Sequence, residues 1–294
     1  MGETMVGLIG GSGLGQALAD ELTGKSVEVD TPFGPPSGPI LMGDISGQSI
    51  AFLSRHGPGH MYRPSAVPYR ANIYALKKLG VTHIIASGAT GSLQEEIHPR
   101  DLVICDQVID KTFLRPNTFF DELVAHVEFA DPFCPALRKV LLHTAETVAC
   151  KAHPKATYVC MEGPQFSTRA ESLLHRQWGA DLIGMTVMPE AKLAREAEIC
   201  YALVAMATDY DCWRPHAAKV DQQTLLAEII GNLNAATANA IKLIRAAVPK
   251  IAAAAQTPCA CRDALKLAIW SDRKRIPAAV VEKLGPLVSR YLDN

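Results

Sequence analysis

Six short, mainly apolar runs, the first broken off by Gly10-Gly11-Ser12-Gly13, punctuate the first 250 residues of the chain. They fall at 6–9, 49–54, 83–87, 102–108, 156–161 and 200–208. Runs this short, stopped by turn residues, read as buried strands rather than helices. Helical periodicity appears between them at 67–79, 135–150, 168–178 and 189–197, with Gly80 placed to end the first. The longest helix is expected to begin at Asp221, a good N-cap, and to stop before Pro249. Leu225, Leu226, Ile229, Ile230, Leu233, Ile241 and Ile244 give it one wide apolar stripe, read as its buried face. Strands separated by helices specify an α/β fold, a single-domain sandwich with a central mixed β-sheet flanked by helices.

Residues 1–250 are assigned to this domain. Ala252 to Ala255 and Thr257-Pro258 make a soft junction, and 251–294 read as a helical C-terminal extension packed on the main domain or on a neighbouring subunit. Charge nearly cancels, with 29 Lys and Arg against 30 Asp and Glu. No broad field therefore draws nucleic acid or an anionic membrane, and any phosphate must be met by a local site. No apolar run approaches the roughly 18 residues that span a bilayer. Met1 to Leu8 lacks a basic flank before an apolar core, so no signal peptide is expected. The eight cysteines sit mostly in apolar surroundings, as in Leu102-Val103-Ile104-Cys105, which reads as reduced core cysteine in a cytoplasmic protein. No CxxC pair with a second ligand pair occurs, so no metal is expected. Cys259-Ala260-Cys261 is read as two bystanders on a loop, with a redox or stabilising pair as the alternative.

Four strand ends carry groups suited to chemistry. Gly10-Gly11-Ser12-Gly13 follows the first strand; glycines let the backbone approach an anion, and Ser12 adds a hydroxyl donor. A plain turn is the competing reading. The spacing fails the dinucleotide G-x-G-x-x-G pattern, although Asp30 lies about where a ribose-binding acid would, so an NAD-dependent oxidoreductase stays open as a rival. Ser54-Arg55-His56-Gly57 ends the second strand, where the guanidinium offers a planar fork of donors to phosphate; a surface ion pair is the alternative. Ala86-Ser87-Gly88-Ala89-Thr90-Gly91-Ser92 closes the third as a backbone cradle or a tight turn. Ala207-Thr208-Asp209-Tyr210-Asp211 ends the last. An acid at the end of a buried strand is costly unless paired or protonated, so Asp209 either donates to a departing heterocycle or caps a turn.

Together with Tyr69-Arg70-Ala71-Asn72-Ile73, Glu162-Gly163-Pro164-Gln165-Phe166-Ser167, Met185-Thr186 and Cys212-Trp213, these motifs match in order and approximate spacing over about residues 5–250. The chain thereby resembles the purine nucleoside phosphorylase superfamily, and within it the methylthioadenosine phosphorylase branch. The resemblance implies phosphorolysis of 5′-methylthioadenosine to adenine and 5-methylthioribose 1-phosphate, with inorganic phosphate as co-substrate and no organic cofactor or metal. It further implies that phosphate meets Ser12, Arg55, His56, the Gly88-Ala89 backbone and Thr186. Met185 would lie against the ribose, Phe166 and Ser167 beside the base, and Asp209 and Asp211 at its N7 and 6-amino edge, with Asp209 the catalytic acid. Leu225 and Leu226 would pack the methylthio group, with His126 reaching in from a neighbouring subunit of a homo-oligomer, a trimer or a hexamer.

The chain departs from the family's pattern at two positions. Gly88 stands where a hydroxyl residue is usual, which leaves only backbone donors there, and Gln222 puts a polar group in the methylthio pocket. A phosphorylase for adenosine or for 6-oxopurine nucleosides is the nearest alternative, although the 6-oxo branch typically has Asn where Asp209 stands. A relative that cleaves methylthioinosine lacks this Asp pair. A non-catalytic nucleoside- or NAD-binding protein would need the glycine turns, but not Arg55, His56 and Asp209 together.

Overall fold

The structure is a computed structural model that describes residues 4–11, 13–14, 22, 24–214, 221–254 and 258–292. Among the described residues its centre is a mixed sheet of eleven strands. Strands β1 (Met5–Gly10), β4 (Gln48–Ser54), β5 (Val81–Ser92) and β11 (Cys200–Asp209) lie parallel in the order β4-β1-β5-β11. The hairpin β2 (Gly24–Val27) and β3 (Ile40–Ile45) extends one edge beside β4. The last residues of β5 turn aside to pair antiparallel with β10 (Leu182–Gly184), which leads on to β9 (Thr157–Met161) and β7 (Gln107–Lys111). The short strands β6 (Leu102–Ile104) and β8 (Ala152–His153) continue from the far side of β11.

Side-chain alternation on the central strands builds two cores. On β11, Tyr201, Leu203, Ala205 and Ala207 enter one apolar cluster, while Cys200, Ala202, Val204 and Met206 enter the other. A run apolar at every position is what a strand covered on both faces requires. Helices α1 (Tyr69–Lys78) and α4 (Val187–Glu196) contribute to the first cluster. Helices α2 (Pro135–Thr147) and α5 (Gln222–Ala254) contribute to the second. Helix α3 (Arg169–Gln177) starts at Thr168, whose capping box with Glu171 satisfies its first free N–H groups.

Three expectations about strand and helix bounds and burial need correction. The run 102–108 is two strands, because Asp106 turns the chain: Asp106 and Gln107 N–H both donate to Ala156 O, and Asp106 Oδ1 accepts from Ala156 N–H. Helix α5 starts as expected, with Asp221 accepting from Thr224 N–H at 2.9 Å, but runs through Pro249 to Ala254. An interior proline costs about 3 kcal/mol; buried Val248 and Ile251 on either side continue the apolar face and offset it. Of the expected stripe only Ile244 is buried: Leu225, Ile229, Leu233 and Ile241 are half-buried, Leu226 and Ile230 are exposed, and the helix's buried residues begin at Asn232.

The C-terminal residues 258–292 lie against the body of their own chain. Leu265, Ala268, Val280, Leu284, Leu287 and Val288 join the first core. Glu198 accepts from Leu265 N–H and the Tyr291 hydroxyl. Cys259 and Cys261 are not loop bystanders: their sulfurs lie within 4.8 Å of those of Cys134 and Cys200. Among the described residues, no helix is long and apolar enough to cross a membrane.

Candidate active site

Parallel registration sets three turns side by side. Gly10 pairs with Ser54, and Arg55 N–H donates to Gly10 O at 2.9 Å. On the other flank of β1, Ile9 pairs with Ala86, which puts Gly11 beside Ser87 and Gly88. The approach is close: a Cβ on Gly11 would stand 2.8 Å from both Arg55 Nη1 and Ser87 O, so a side chain here would force something to shift. A Cβ on Gly88 would lie 3.7 Å from Thr186 Oγ1. Thr186 is the N-cap residue of α4, yet its hydroxyl makes no capping bond. Gly11, Arg55, Gly88 and Thr186 therefore meet in one place, with Ala89 next on β5. Ser12 lies outside the described residues.

Arg55 is not an open fork. Its Nε and Nη2 donate to the two Glu190 oxygens at 2.7 and 2.8 Å, and Nη1 donates to Ser87 O at 2.8 Å. The Tyr201 hydroxyl donates to the same Glu190 at 2.8 Å. Arg55 and Glu190 are 0% and 1% exposed. Burial opposes the Arg55 charge, but the Glu190 carboxylate outweighs it and raises the guanidinium pKa. Of five N–H donors, two have no partner among the described residues, one of them on Nη1 against Gly11. His56, also buried, has its Nδ1 2.7 Å from Tyr62 O and stacks on His60 at 4.1 Å. Burial, then the Arg55 charge, push its pKa down to about 4, so the ring is neutral at pH 7. A neutral ring that donates from Nδ1 to a carbonyl keeps a lone pair on Nε2.

Three residues beyond Gly88 on the same strand, Gly91 faces the aspartates. Its Cβ would meet Asp211 Cβ and Ile183 Cγ2 at 3.1 Å and Asp209 Oδ1 at 3.2 Å. Asp209 pairs with Gly91 across a register shift in β11. It accepts from the Thr208 hydroxyl at 2.7 Å and from Asp211 N–H at 2.8 Å. The Cys212 thiol donates to Ser167 O at 3.3 Å, which draws the Ser167 loop alongside. Met185 packs on Gly163, whose Cβ would come within 2.5 Å of the thioether. Buried Arg115 fixes that neighbourhood: Nη1 donates to Met185 O and Met188 O at 2.6 Å, and Nε donates to Glu162 Oε1 at 2.8 Å.

Other expected residues lie apart. Phe166 is 85% exposed. Asn232 anchors α5 beside the end of β11 by donating to Thr208 O at 3.0 Å. Gln222 precedes it by ten residues, about 15 Å of helix; Gln222 and Leu226 are exposed and Leu225 half-buried. His126 packs edge-on against Trp270, and its N–H donates to Ala268 O. Sequence reasoning missed Glu190, Tyr201, Arg115 and the carboxylate role of Glu162. An acid or arginine among apolar residues, as in Val187-Met188-Pro189-Glu190-Ala191 or Phe113-Leu114-Arg115-Pro116, was the available signal.

The profile of the Phosphorylase superfamily matches residues 5–249, the stretch that carries all of these turns. The chain belongs to the phosphorylase superfamily. The S-methyl-5′-thioadenosine phosphorylase of Gloeobacter violaceus is 47% identical over 294 residues, covering 98% of this chain and 96% of the relative. That of Geobacter sulfurreducens is 48% identical, covering 99% and 100%. Among solved structures, a methylthioadenosine phosphorylase from an antarctic soil metagenomic library has a TM-score of 0.88 at 46% identity, covering 98% of this phosphorylase and 100% of that chain. The Schistosoma mansoni methylthioadenosine phosphorylase in complex with adenine has a TM-score of 0.84 at 33% identity, covering 92% and 100%.

Proposed function

We propose that this chain is an S-methyl-5′-thioadenosine phosphorylase, converting 5′-methylthioadenosine and phosphate to adenine and 5-methylthioribose 1-phosphate. The observation that carries the reading is the layout of β5. Gly88, beside Arg55, Gly11 and Thr186, lies three residues from Gly91, beside Asp209 and Asp211. Three strand residues span about 10 Å, room for one ribose between an anion site and a base site.

On this reading, phosphate lies against the Gly11 and Gly88-Ala89 backbone, the remaining Arg55 donors, the Thr186 hydroxyl and Ser12. His56, with its lone pair on Nε2, accepts from a protonated phosphate oxygen rather than donating. Departure of the purine leaves positive charge on the ribosyl carbon, which the phosphate stabilises and then attacks in line. Asp209 supports the departing base at N7 and Asp211 its 6-amino edge. General acid help of this kind contributes about 10²–10⁴-fold. Met185 backs the ribose, while Phe166 and Ser167 flank the base.

Phe166, Gln222 and Leu226 stand open, Leu225 is half-buried, and His126 sits with the C-terminal segment. The reading, on the family resemblance, takes the enzyme as a homo-oligomer, a trimer or a hexamer, in which a neighbour's His126 completes the 5′ pocket beside these residues. The reading also takes the enzyme as cytoplasmic, with no organic cofactor, and residues 251–294 as an extension of the 1–250 domain.

The test is release of free base from 5′-methylthioadenosine, adenosine and inosine, each with and without phosphate. Adenine should appear fastest from methylthioadenosine and only with phosphate. Release without phosphate, or a preference for inosine, would contradict the reading.

A further inference from the structure

We propose that Cys134, Cys200, Cys259 and Cys261 form a tetrahedral four-thiolate site for one zinc ion, which clasps the C-terminal extension to the body. Their four sulfurs lie within 4.8 Å of one another, and those of Cys134 and Cys259 are 3.5 Å apart. Zinc–sulfur bonds of about 2.3 Å place tetrahedral sulfurs about 3.8 Å apart, so closing on a metal needs contractions of no more than about 1 Å.

The ligands come from three separate parts of the fold. Cys200 opens β11. Cys134 is the N-cap of α2 and is held next to β11 by its N–H, which donates to Tyr201 O at 2.8 Å. Cys259 and Cys261 flank Ala260 at a 3-10 turn that runs to Asp263. Backbone therefore positions each sulfur before any metal binds, which lowers the cost of ordering the site.

The surroundings suit an anionic cluster. Zinc binding would convert four thiols to thiolates and release four protons, leaving a site of net charge −2. The Cys134 sulfur accepts from Leu137 N–H at 3.5 Å at the start of a 13-residue helix, where partial positive charge favours a thiolate. Cys259 and Cys261 line a cleft of about 520 Å³ with charges of both signs, Arg195 and Lys266 beside Glu128, Asp131 and Asp263. Cys134, Cys200 and Cys261 are buried, and Cys259 is half-buried. That leaves a way in for the ion while the closed site excludes solvent. With all four positions filled by protein, the metal has no open place for substrate, so its part is structural. The same strand of chain supports His126 through Ala268 O and Trp270. The clasp thus holds a segment on which a shared active site would depend, although the proposal stands independently of the reaction assigned above.

The experiment measures metal in full-length protein purified under reducing conditions and passed over a chelating resin. One zinc per chain is expected. Replacement by cobalt should give the intense thiolate-to-cobalt charge transfer and red ligand-field bands of a tetrahedral tetrathiolate. Cys261→Ser should lower retained zinc at least ten-fold. Cys150→Ser should keep it, since that residue donates to Asn239 O and lies outside the cluster. A wild-type protein without stoichiometric metal, its cluster found as free thiols or as disulfides by mass spectrometry, overturns the proposal. So does a cobalt spectrum of octahedral or mixed-ligand type. The wild-type readings decide even if Cys261→Ser does not fold.

Discussion

Arg55 and Glu190, 135 residues apart in sequence, form a bidentate ion pair with bonds of 2.7 and 2.8 Å, closed off from solvent beneath the glycine turns. The pair makes Arg55 both a structural cation and the nearest charge to the proposed phosphate. Removing one member of a buried pair costs about 3–5 kcal/mol because the other is stranded. Arg55→Ala should therefore lose stability of that order. Arg55→Lys, which keeps the charge but not the fork, should keep its fold. Its KM for phosphate should rise about ten-fold or more, with a much smaller change for the nucleoside. Steady-state kinetics with each substrate varied in turn checks this; equal losses for both would place Arg55 outside the phosphate site.

His56 should make the protein acid-sensitive in a defined window. Unfolded, the ring takes up a proton as pH falls through its ordinary value of 6.5; folded, burial and then Arg55 delay this to about 4. The unfolded state therefore binds more protons between those values. The stability contributed by the neutral ring is full above pH 6.5 and lost as pH falls toward 4. His56→Gln, whose amide can still donate to Tyr62 O, should show a smaller drop in melting temperature between pH 7 and pH 5 than wild type. An unchanged drop would mean His56 titrates normally.

The strand ends were legible because continuous apolar runs broken by small or charged residues have few alternatives to buried strands. The meeting of Gly11, Arg55 and Gly88 required the register of β4, β1 and β5, which no local spacing encodes. The edge strand β2 escaped notice because Gly24, Lys25 and Ser26 are exposed and carry no apolar signal. Glu190 was hidden inside a helix that otherwise reads as core, and its partner lies in another part of the chain. The cysteine cluster was illegible for the same reason: Cys134, Cys200 and the Cys259/Cys261 pair are brought together only by the fold. The openness of Leu226 and Ile230 follows from where Asn232 anchors α5, not from the periodicity of the helix.

Gly91→Ala should separate the two halves of the site. Its new methyl would press on both aspartates at 3.1–3.2 Å while leaving Gly88 and Arg55 untouched. The KM for methylthioadenosine should rise roughly ten-fold, as expected for about 1.4 kcal/mol of lost binding, with the KM for phosphate changing little. A rise confined to phosphate would reverse the assignment of the two ends.

Asp209→Asn should reduce cleavage of 6-aminopurine nucleosides and move preference toward 6-oxopurines. Asparagine can donate to O6 or N7 but has no acidic proton for the departing base. A mismatched buried edge costs about 1–3 kcal/mol, so the ratio of kcat/KM for methylthioadenosine over inosine should fall roughly ten- to a hundred-fold. Asp211 shares the same niche at Gly91 and can soften the change. An unaltered ratio would show that Asp209 does not read the base.

The central claim is that phosphate itself becomes bonded to the ribosyl carbon as adenine leaves. Incubating the enzyme with methylthioadenosine and isotopically labelled phosphate, then quantifying label in the sugar product against adenine released, tests it directly. The account predicts one labelled phosphate per adenine, in 5-methylthioribose 1-phosphate. Adenine accompanied by unlabelled free methylthioribose would contradict it, because water and not phosphate would then be the nucleophile.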